Sequence, residues 1–317
     1  MRRLAACLIL LSTAWHARGQ DVVDSMVYDK GMEWKVFSSN GPASHFAIQG
    51  GTLWVATEDN VRAVTMKRNT HKELSTLGTL SSAGVTAMLT DRQNNVWFGT
   101  QEGLAVLRGG KFTVFTEDNG LCNNAVNALL STPDGKVWVG TQNGLGVFQS
   151  GKWTSYTKEN GLRGNTVKAL EEGPGGSVWI GTNFGISIYK RDGSWSSQSM
   201  DNEMSWNDTK ALAYDEYKKL MWAAVGEQDV NCFDGKAWKV YMGVRDGITC
   251  IMVDTQSRVW FGSSSGLMKY NGEEWITDQQ QLAVPAKLVT QMLRDGQGNL
   301  WFASENGVVS LKNPYPF

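Results

Sequence analysis

A tryptophan returns along this chain at nearly fixed intervals. Trp54, Trp97, Trp138, Trp179, Trp222, Trp260 and Trp301 are spaced by 43, 41, 41, 43, 38 and 41 residues, and each stands between two apolar residues. The phrase around them repeats as well: "NNVWFGTQEGLAVL" from Asn94 to Leu107 is followed 41 residues later by "GKVWVGTQNGLGVF". A repeat of this length is one supersecondary unit that cannot bury its faces alone and must stack against its neighbours. Residues 126–156 show how a unit divides. "VNALLS", "VWVGT", "LGVFQ" and "KWTSYT" read as strands, separated by "TPDGK", "QNG" and "SG". Asp and Gly supply the turn angles, and apolar residues alternate with polar ones along several strands. Four short strands per unit near 41 residues is the pattern of a propeller blade. The expected fold is all-β: a seven-bladed β-propeller with four-stranded antiparallel blades.

The two ends of the chain sharpen this. The unit around Trp301 ends "GVVSLKNPYPF", with no fourth strand, whereas "EWKVFSS" at Glu33–Ser39 is a spare one matching "KWTSYT" and "AWKVYM". The N-terminal strand is therefore expected to complete the last blade and remove the open seam of the ring.

Residues 1–19 are read apart. "MRR" is basic, "LAACLILLSTAW" is apolar and "ARG" before Gln20 has the form of a cleavage site. This predicts a cleaved signal peptide over 1–19, an N-terminal segment over 20–32, a propeller over 33–317, and a periplasmic or secreted location. The apolar run is short for a membrane span, and no later stretch would serve as one. "LAAC" at Cys7 imitates a lipoprotein box, but most of the apolar stretch follows the Cys. Removing the three Arg of residues 1–19 takes the formal charge from −1 to −4. With no basic stripe, nucleic acid is not an expected partner. Cys122, Cys232 and Cys250 are far apart and odd in number. They read as free thiols, with a Cys232–Cys250 bridge between adjacent repeats as the alternative.

The repeated phrases "DRQNNVWFGTQEGLAVL", "TPDGKVWVGTQNGLGVF" and "DGQGNLWFASENGVVSL", with the linkers "TEDNGLCNNAVNAL" and "TKENGLRGNTVKAL", resemble the two-component regulator propeller repeat of bacterial sensors. The resemblance spans nearly all of residues 33–312. It implies a periplasmic ligand-binding propeller of the kind found in hybrid sensor kinases that respond to polysaccharide fragments. Members of that family carry further repeats, a β-sandwich, a membrane span and a kinase. The seven repeats here lead to the expectation of a stand-alone propeller without its own kinase.

In a propeller the turns between second and third strands and the blade connections share the upper rim. The Asp-Gly turns share the lower one. Asp91, Asp134, Asp254 and Asp295 therefore read as turn formers, too few in oxygen ligands for calcium. The repeated Trp read as core, as do the fourth-strand aromatics. Trp206 in "DNEMSWNDTK" and Phe184 in "GTNFGI" fall outside both aromatic registers. They are candidates for stacking on a sugar ring, with Asn183 beside them. Burial of Trp206 beneath its own loop is the competing reading. At the channel mouth the aligned positions are Thr86, Asn127, Lys168, Lys210, Thr249 and Thr290, with His45 in the out-of-register first blade. Lys168 and Lys210 would accept a carboxylate such as a uronate, or be solvated with Glu227 or Asp229 as partners. No HExxH, GxSxG, metal-ligand cluster or cofactor motif appears.

Three functions follow from these readings. The first is an exported propeller that recognises a glycan fragment or a protein on its upper rim. The second is an interaction scaffold for an envelope complex, to which the free outer edges of the fourth strands would add pairing with a second copy. The third is a polysaccharide lyase acting at the channel mouth through a Lys or His45.

Overall fold

Seven antiparallel sheets stand around a central axis. The computed structural model describes residues 23–28, 32–37, 41–67, 70–74, 76–81, 84–244, 247–276 and 286–312, so the signal segment expected over 1–19 lies outside the described residues. Blades 1 to 6 each take four consecutive strands. Blade 1 runs from His45–Gln49 to Thr70–Leu74, and blade 3 from Val126–Ser131 to Lys152–Tyr156. Blade 4 runs from Val167–Glu172 to Trp195–Gln198, and blade 5 from Thr209–Asp215 to Trp238–Tyr241. A two-stranded hairpin, Thr76–Leu77 with Leu80–Ser81, lies between blades 1 and 2.

Blade 7 is built from both ends of the chain. Met32–Phe37 pairs antiparallel with Gly307–Leu311, with Trp34 opposite Leu311 and Phe37 opposite Val308. Phe37 then stacks on Trp301 at 5.5 Å between ring centroids. The ring closes as its end sequences require. A fifth strand, Val23–Tyr28, pairs outside Met32–Phe37 and extends the expected propeller boundary into the N-terminal segment.

The repeated Trp are all buried, between one blade and the next. Truncating one of them to Ala would cost about 3–5 kcal/mol. The Gly two residues after the Trp in this strand is explained by the neighbouring blade. A Cβ at Gly140 would lie 2.5 Å from Val167 Cγ1, and one at Gly99 would lie 2.5 Å from Val126 Cγ1. The next blade's first inner-strand side chain occupies that space.

Both turn systems are held by side chains. On the lower rim Asp91 accepts the Gln93 and Asn95 backbone N–H groups through Oδ1, and the Trp97 indole N–H through Oδ2 at 2.7 Å. Asp254 and Asp295 repeat this with Trp260 and Trp301. On the upper rim Thr141, Thr182 and Ser263 donate to the carbonyl three residues on, at 2.8 Å. The linker asparagines are structural too. Asn124, Asn165 and Asn207 accept the backbone N–H groups of Glu117, Lys158 and Met200. Cys122, Cys232 and Cys250 are all free, so the bridge alternative is not realised. Burial pushes the Cys232 and Cys250 thiols up to about 12.

Candidate functional site

The channel-mouth residues turn out to share a backbone irregularity. The inner strands of blades 3 to 7 each shift register once, across Asn127, Lys168, Lys210, Thr249 and Thr290. A bulge of this kind re-aims a side chain, and here four of the five are turned toward the next blade. Asn127 donates to the Val167 carbonyl at 3.0 Å and Thr249 to the Val289 carbonyl at 2.5 Å. Thr290 closes the circle by donating to the Ser44 carbonyl at 2.7 Å, and Thr86 donates to the Val126 carbonyl at 2.6 Å. These side chains fasten blade to blade.

The two lysines are each paired with a carboxylate, Lys168 toward the next blade and Lys210 within its own. Lys168 Nζ lies 2.5 Å from Asp208 Oδ1, on the linker into blade 5, and Lys210 pairs with Glu227 at 3.3 Å. The Glu227 partner is the one expected for a solvated Lys210. Asp208 was not legible as a partner for Lys168. A uronate would have to compete with carboxylates already in place.

His45 stands one position deeper than this ring. It pairs with Ala56, as Ala87 pairs with Gly99 and Ala169 with Gly181. Its Nδ1 is buried and has no hydrogen-bond partner. Burial pulls the imidazole down to about 4, with a hydrogen bond to the Val85 backbone opposing. The ring is therefore neutral at neutral pH, and the structure does not bring it together with Trp206 or Phe184.

Those two aromatics lie on one continuous stretch of upper rim. Phe184 is 57% exposed and Trp206 is 55% exposed, so Trp206 is not folded beneath its loop. Trp206 takes the linker position held by Gly164 one blade earlier. Its indole rests on Gly226, in the upper turn of blade 5. Gly164 in turn leaves room for its neighbours: a Cβ there would lie 2.5 Å from Asn183 Oδ1 and 3.1 Å from Phe184 Cδ2. Asn183 Oδ1 is buried without a partner.

Polar contacts stitch the stretch together. Arg163 donates to the Phe184 carbonyl at 3.1 Å and pairs with Asp201 at 3.3 Å. The Met200 N–H donates to Asn207, next to Trp206, at 2.9 Å. Beyond Gly226, Asp229 accepts the Gly243 N–H at 2.9 Å, which brings Met242 alongside. Met200 is 51% and Met242 78% exposed. Of the five large apolar side chains exposed among the described residues, four therefore form this ridge over blades 4 and 5. Met200 and Met242 were missed in the sequence. Their signal was the one that found Trp206, an apolar residue in a blade connection outside the strand registers.

The lower rim differs in character. Cavities of about 260 to 620 Å³ open there between blades. Another lies at the lower channel mouth, where Glu171, Glu172, Glu216 and Arg294 gather. Glu171 accepts the Tyr214 N–H at 3.2 Å, and burial pushes its carboxyl up to about 8, with Glu172 adding and Arg294 opposing. Among the described residues no three His, Cys, Asp or Glu side chains are grouped to hold a metal ion, and no helix is long and apolar enough to cross a membrane.

Comparison with known proteins adds a family and a set of folds. Residues 79–102, 120–143 and 284–306 match the two component regulator propeller family. Each match covers the same piece of a blade, from its linker through the Trp strand, in blades 2, 3 and 7, and blades 1, 4, 5 and 6 lie outside all three. No curated protein matches the chain in sequence. Among solved structures, the extracellular domain of a hybrid two component system from B. thetaiotaomicron superposes with a TM-score of 0.71 at 21% identity, over 91% of this chain and 45% of that one. A second extracellular domain from the same organism gives 0.71 at 17% identity, over 92% and 39%. The chain thus spans less than half the length of these two extracellular domains. Virginiamycin B lyase from Staphylococcus aureus gives 0.69 at 14% identity, over 89% and 98%. At such identities the likeness is one of fold.

Proposed function

We propose, for a chain that carries two component regulator propeller repeats, that it is an exported recognition module binding an oligosaccharide fragment along the upper-rim ridge of blades 4 and 5. The observation that carries this reading is the pair of exposed aromatic rings, Trp206 and Phe184, joined by hydrogen-bonding side chains. A sugar packs its C–H face on such a ring while its hydroxyls take up polar groups. The Arg163–Asp201 pair supplies exposed polar groups here, beside Asn183. Export rests on the basic and apolar opening of the sequence, and the similar sensor domains are themselves extracellular.

A protein partner is the second reading, favoured by Met200 and Met242. Flexible, exposed methionines suit a protein surface better than a sugar. A lyase has less support, because Lys168 and Lys210 already face carboxylates and the Nδ1 of His45 is buried. The test is a thermal-shift and Trp-fluorescence titration with an oligosaccharide panel that includes uronates. A saturable rise in Tm, absent in a folded Trp206→Ala variant, is expected. No shift across the panel, with capture of an envelope protein that depends on Met200 and Met242, would replace the glycan reading with the second one.

A further inference from the structure

Blade 5 keeps both halves of a hydrogen bond that it no longer makes. In blades 2, 6 and 7 an Asp six residues before the repeated Trp accepts its indole N–H, at 2.7, 2.9 and 2.9 Å. Thr132 does so in blade 3 and Gln49 in blade 1, both at 3.1 Å. In blade 5 the sequence "DEYKKLMW" places Asp215 seven residues before Trp222. Lys219, at φ 59°, takes the left-handed turn position that Asn94 and Ser257 hold one residue earlier in their turns. Trp222 Nε1 and Asp215 Oδ2 are both left buried and unpartnered. Blade 4 also leaves its indole unpaired, but Gly173 replaces the Asp there, so no carboxylate oxygen is stranded.

Asp215 is nonetheless held firmly. Its Oδ1 accepts the Tyr217 and Lys218 N–H groups at 3.0 Å and the Ser257 hydroxyl of blade 6 at 2.9 Å. Asp215 and Trp222 both line a cavity of about 370 Å³ between blades 5 and 6, with Tyr241 and Tyr270 as further aromatic walls. Its charged lining is balanced, two lysines (Lys218 and Lys239) against two carboxylates (Asp215 and Asp234). The comparable clefts under blades 2 and 3, 3 and 4, and 7 and 1 contain Trp97, Trp138 and Trp301, whose indoles are already satisfied.

We propose that the cleft between blades 5 and 6 is a second ligand site, for a small neutral hydroxylated ring such as a single sugar. Both stranded atoms are closed off from solvent in the ligand-free protein, so binding opens the cleft wall to them; a hydroxyl both donates and accepts, and the hydroxyls of one ring then serve the stranded oxygen and the stranded indole. A buried polar group without a partner is costly, and this ligand removes two of them. Balanced charge favours a neutral occupant over an acid or an amine. The aromatic walls suit a C–H face, and the volume falls at the small end of ligand pockets, about 300–1,000 Å³. The cleft is on the rim opposite the ridge and does not depend on it.

The experiment uses the whole mature chain, with glucose, galactose, mannose and N-acetylglucosamine as probes and glucuronate and glucosamine as charged controls. At least one neutral sugar is expected to raise Tm saturably, in Trp206→Ala as well as in the parent. Trp222→Phe keeps the ring and removes only the N–H, and should weaken that sugar about tenfold. Deleting Tyr217 restores the six-residue spacing, and should raise the ligand-free Tm while abolishing the response. The proposal is overturned by silence across the neutral sugars, by a stronger response to a charged control, or by binding unchanged in both Trp222→Phe and Asp215→Asn. A raised Tm in the deletion with no sugar response in the parent would identify the gap as a site for water alone, and would overturn it equally.

Discussion

The indole of Trp206 rests against the α-carbon of Gly226. A Cβ at Gly226 would come within 2.7 Å of Trp206 Cδ1 and 2.8 Å of Cγ, and Gly226 itself adopts φ 59°. One glycine therefore turns the chain at the top of blade 5 and forms the seat on which the ring lies. Gly226→Ala should strain the turn by about 1 kcal/mol and lift the indole, with a change in Trp emission and weaker glycan binding. Trp206→Ala should leave stability within about 0.5 kcal/mol, as an exposed substitution does. Thermal denaturation and fluorescence of the two variants check both statements. Unchanged emission in Gly226→Ala would contradict the seat.

Blade joints should be intolerant of a single added methyl. Gly140→Ala would place a Cβ 2.5 Å from Val167 Cγ1 and 3.3 Å from the Ala128 Cβ. Overpacking of this kind costs about 1–3 kcal/mol. Val167→Ala added to it should recover part of the loss, since the two side chains compete for one space. Urea midpoints of the two single variants and the double variant measure that coupling.

The lower-rim aspartates should behave as clamps. Asp91→Ala strands the Trp97 indole, the Asn95 amide and two backbone N–H groups. The expected loss is about 2–3 kcal/mol. Asp91→Asn keeps an acceptor at the same place and should lose less. Equal destabilisation by both would argue that charge, rather than the count of acceptors, holds the turn.

Stability should depend on pH through two partly buried groups of opposite sign. His45 has its native pKa lowered to about 4 from 6.5. Below 6.5 the unfolded chain therefore binds a proton that the native state refuses, and stability falls as pH drops from about 6.5 to 4, by about 3 kcal/mol in all. Glu171 has its native pKa raised to about 8 from 4.5. Its contribution is present in full below 4.5 and is lost as pH rises through 8, by on the order of 5 kcal/mol. His45→Gln should flatten the acid limb, and Glu171→Gln should raise stability at pH 8. Urea midpoints between pH 4 and 9 read both limbs. An acid limb that survives in His45→Gln would assign it elsewhere.

The fold was legible because its determinants are periodic. The Trp spacing, the Asp-Gly turns and the spare "EWKVFSS" strand each follow from local sequence, and the seven-bladed closed ring follows from them. Trp206 and Phe184 were legible for the opposite reason, since they break the pattern. The tie of Lys168 to Asp208 was not, because a register shift at the lysine turns its side chain toward the next blade, and a shift of one residue leaves no mark in composition. Strand Val23–Tyr28 escaped for want of the aromatic frame shared by the other outer strands. It is defined by backbone pairing to Met32–Phe37. The stranded atoms of Asp215 and Trp222 were readable as a spacing of seven where six is the rule.

The strand Met32–Phe37 lies some 270 residues from its partner Gly307–Leu311 in sequence. Contacts of that separation are the slowest to form, since the loop they close is the longest in the chain. Until the last repeat has folded, blade 7 presents an unpaired edge at Gly307–Leu311 and the facing sides of blades 1 and 7 lie open, so the ring exists as an open crescent able to stack on another crescent. The outer strand works as a latch. Six residues, Met32–Phe37, set how long the open form persists, and so how long its edge stays available for pairing with another chain.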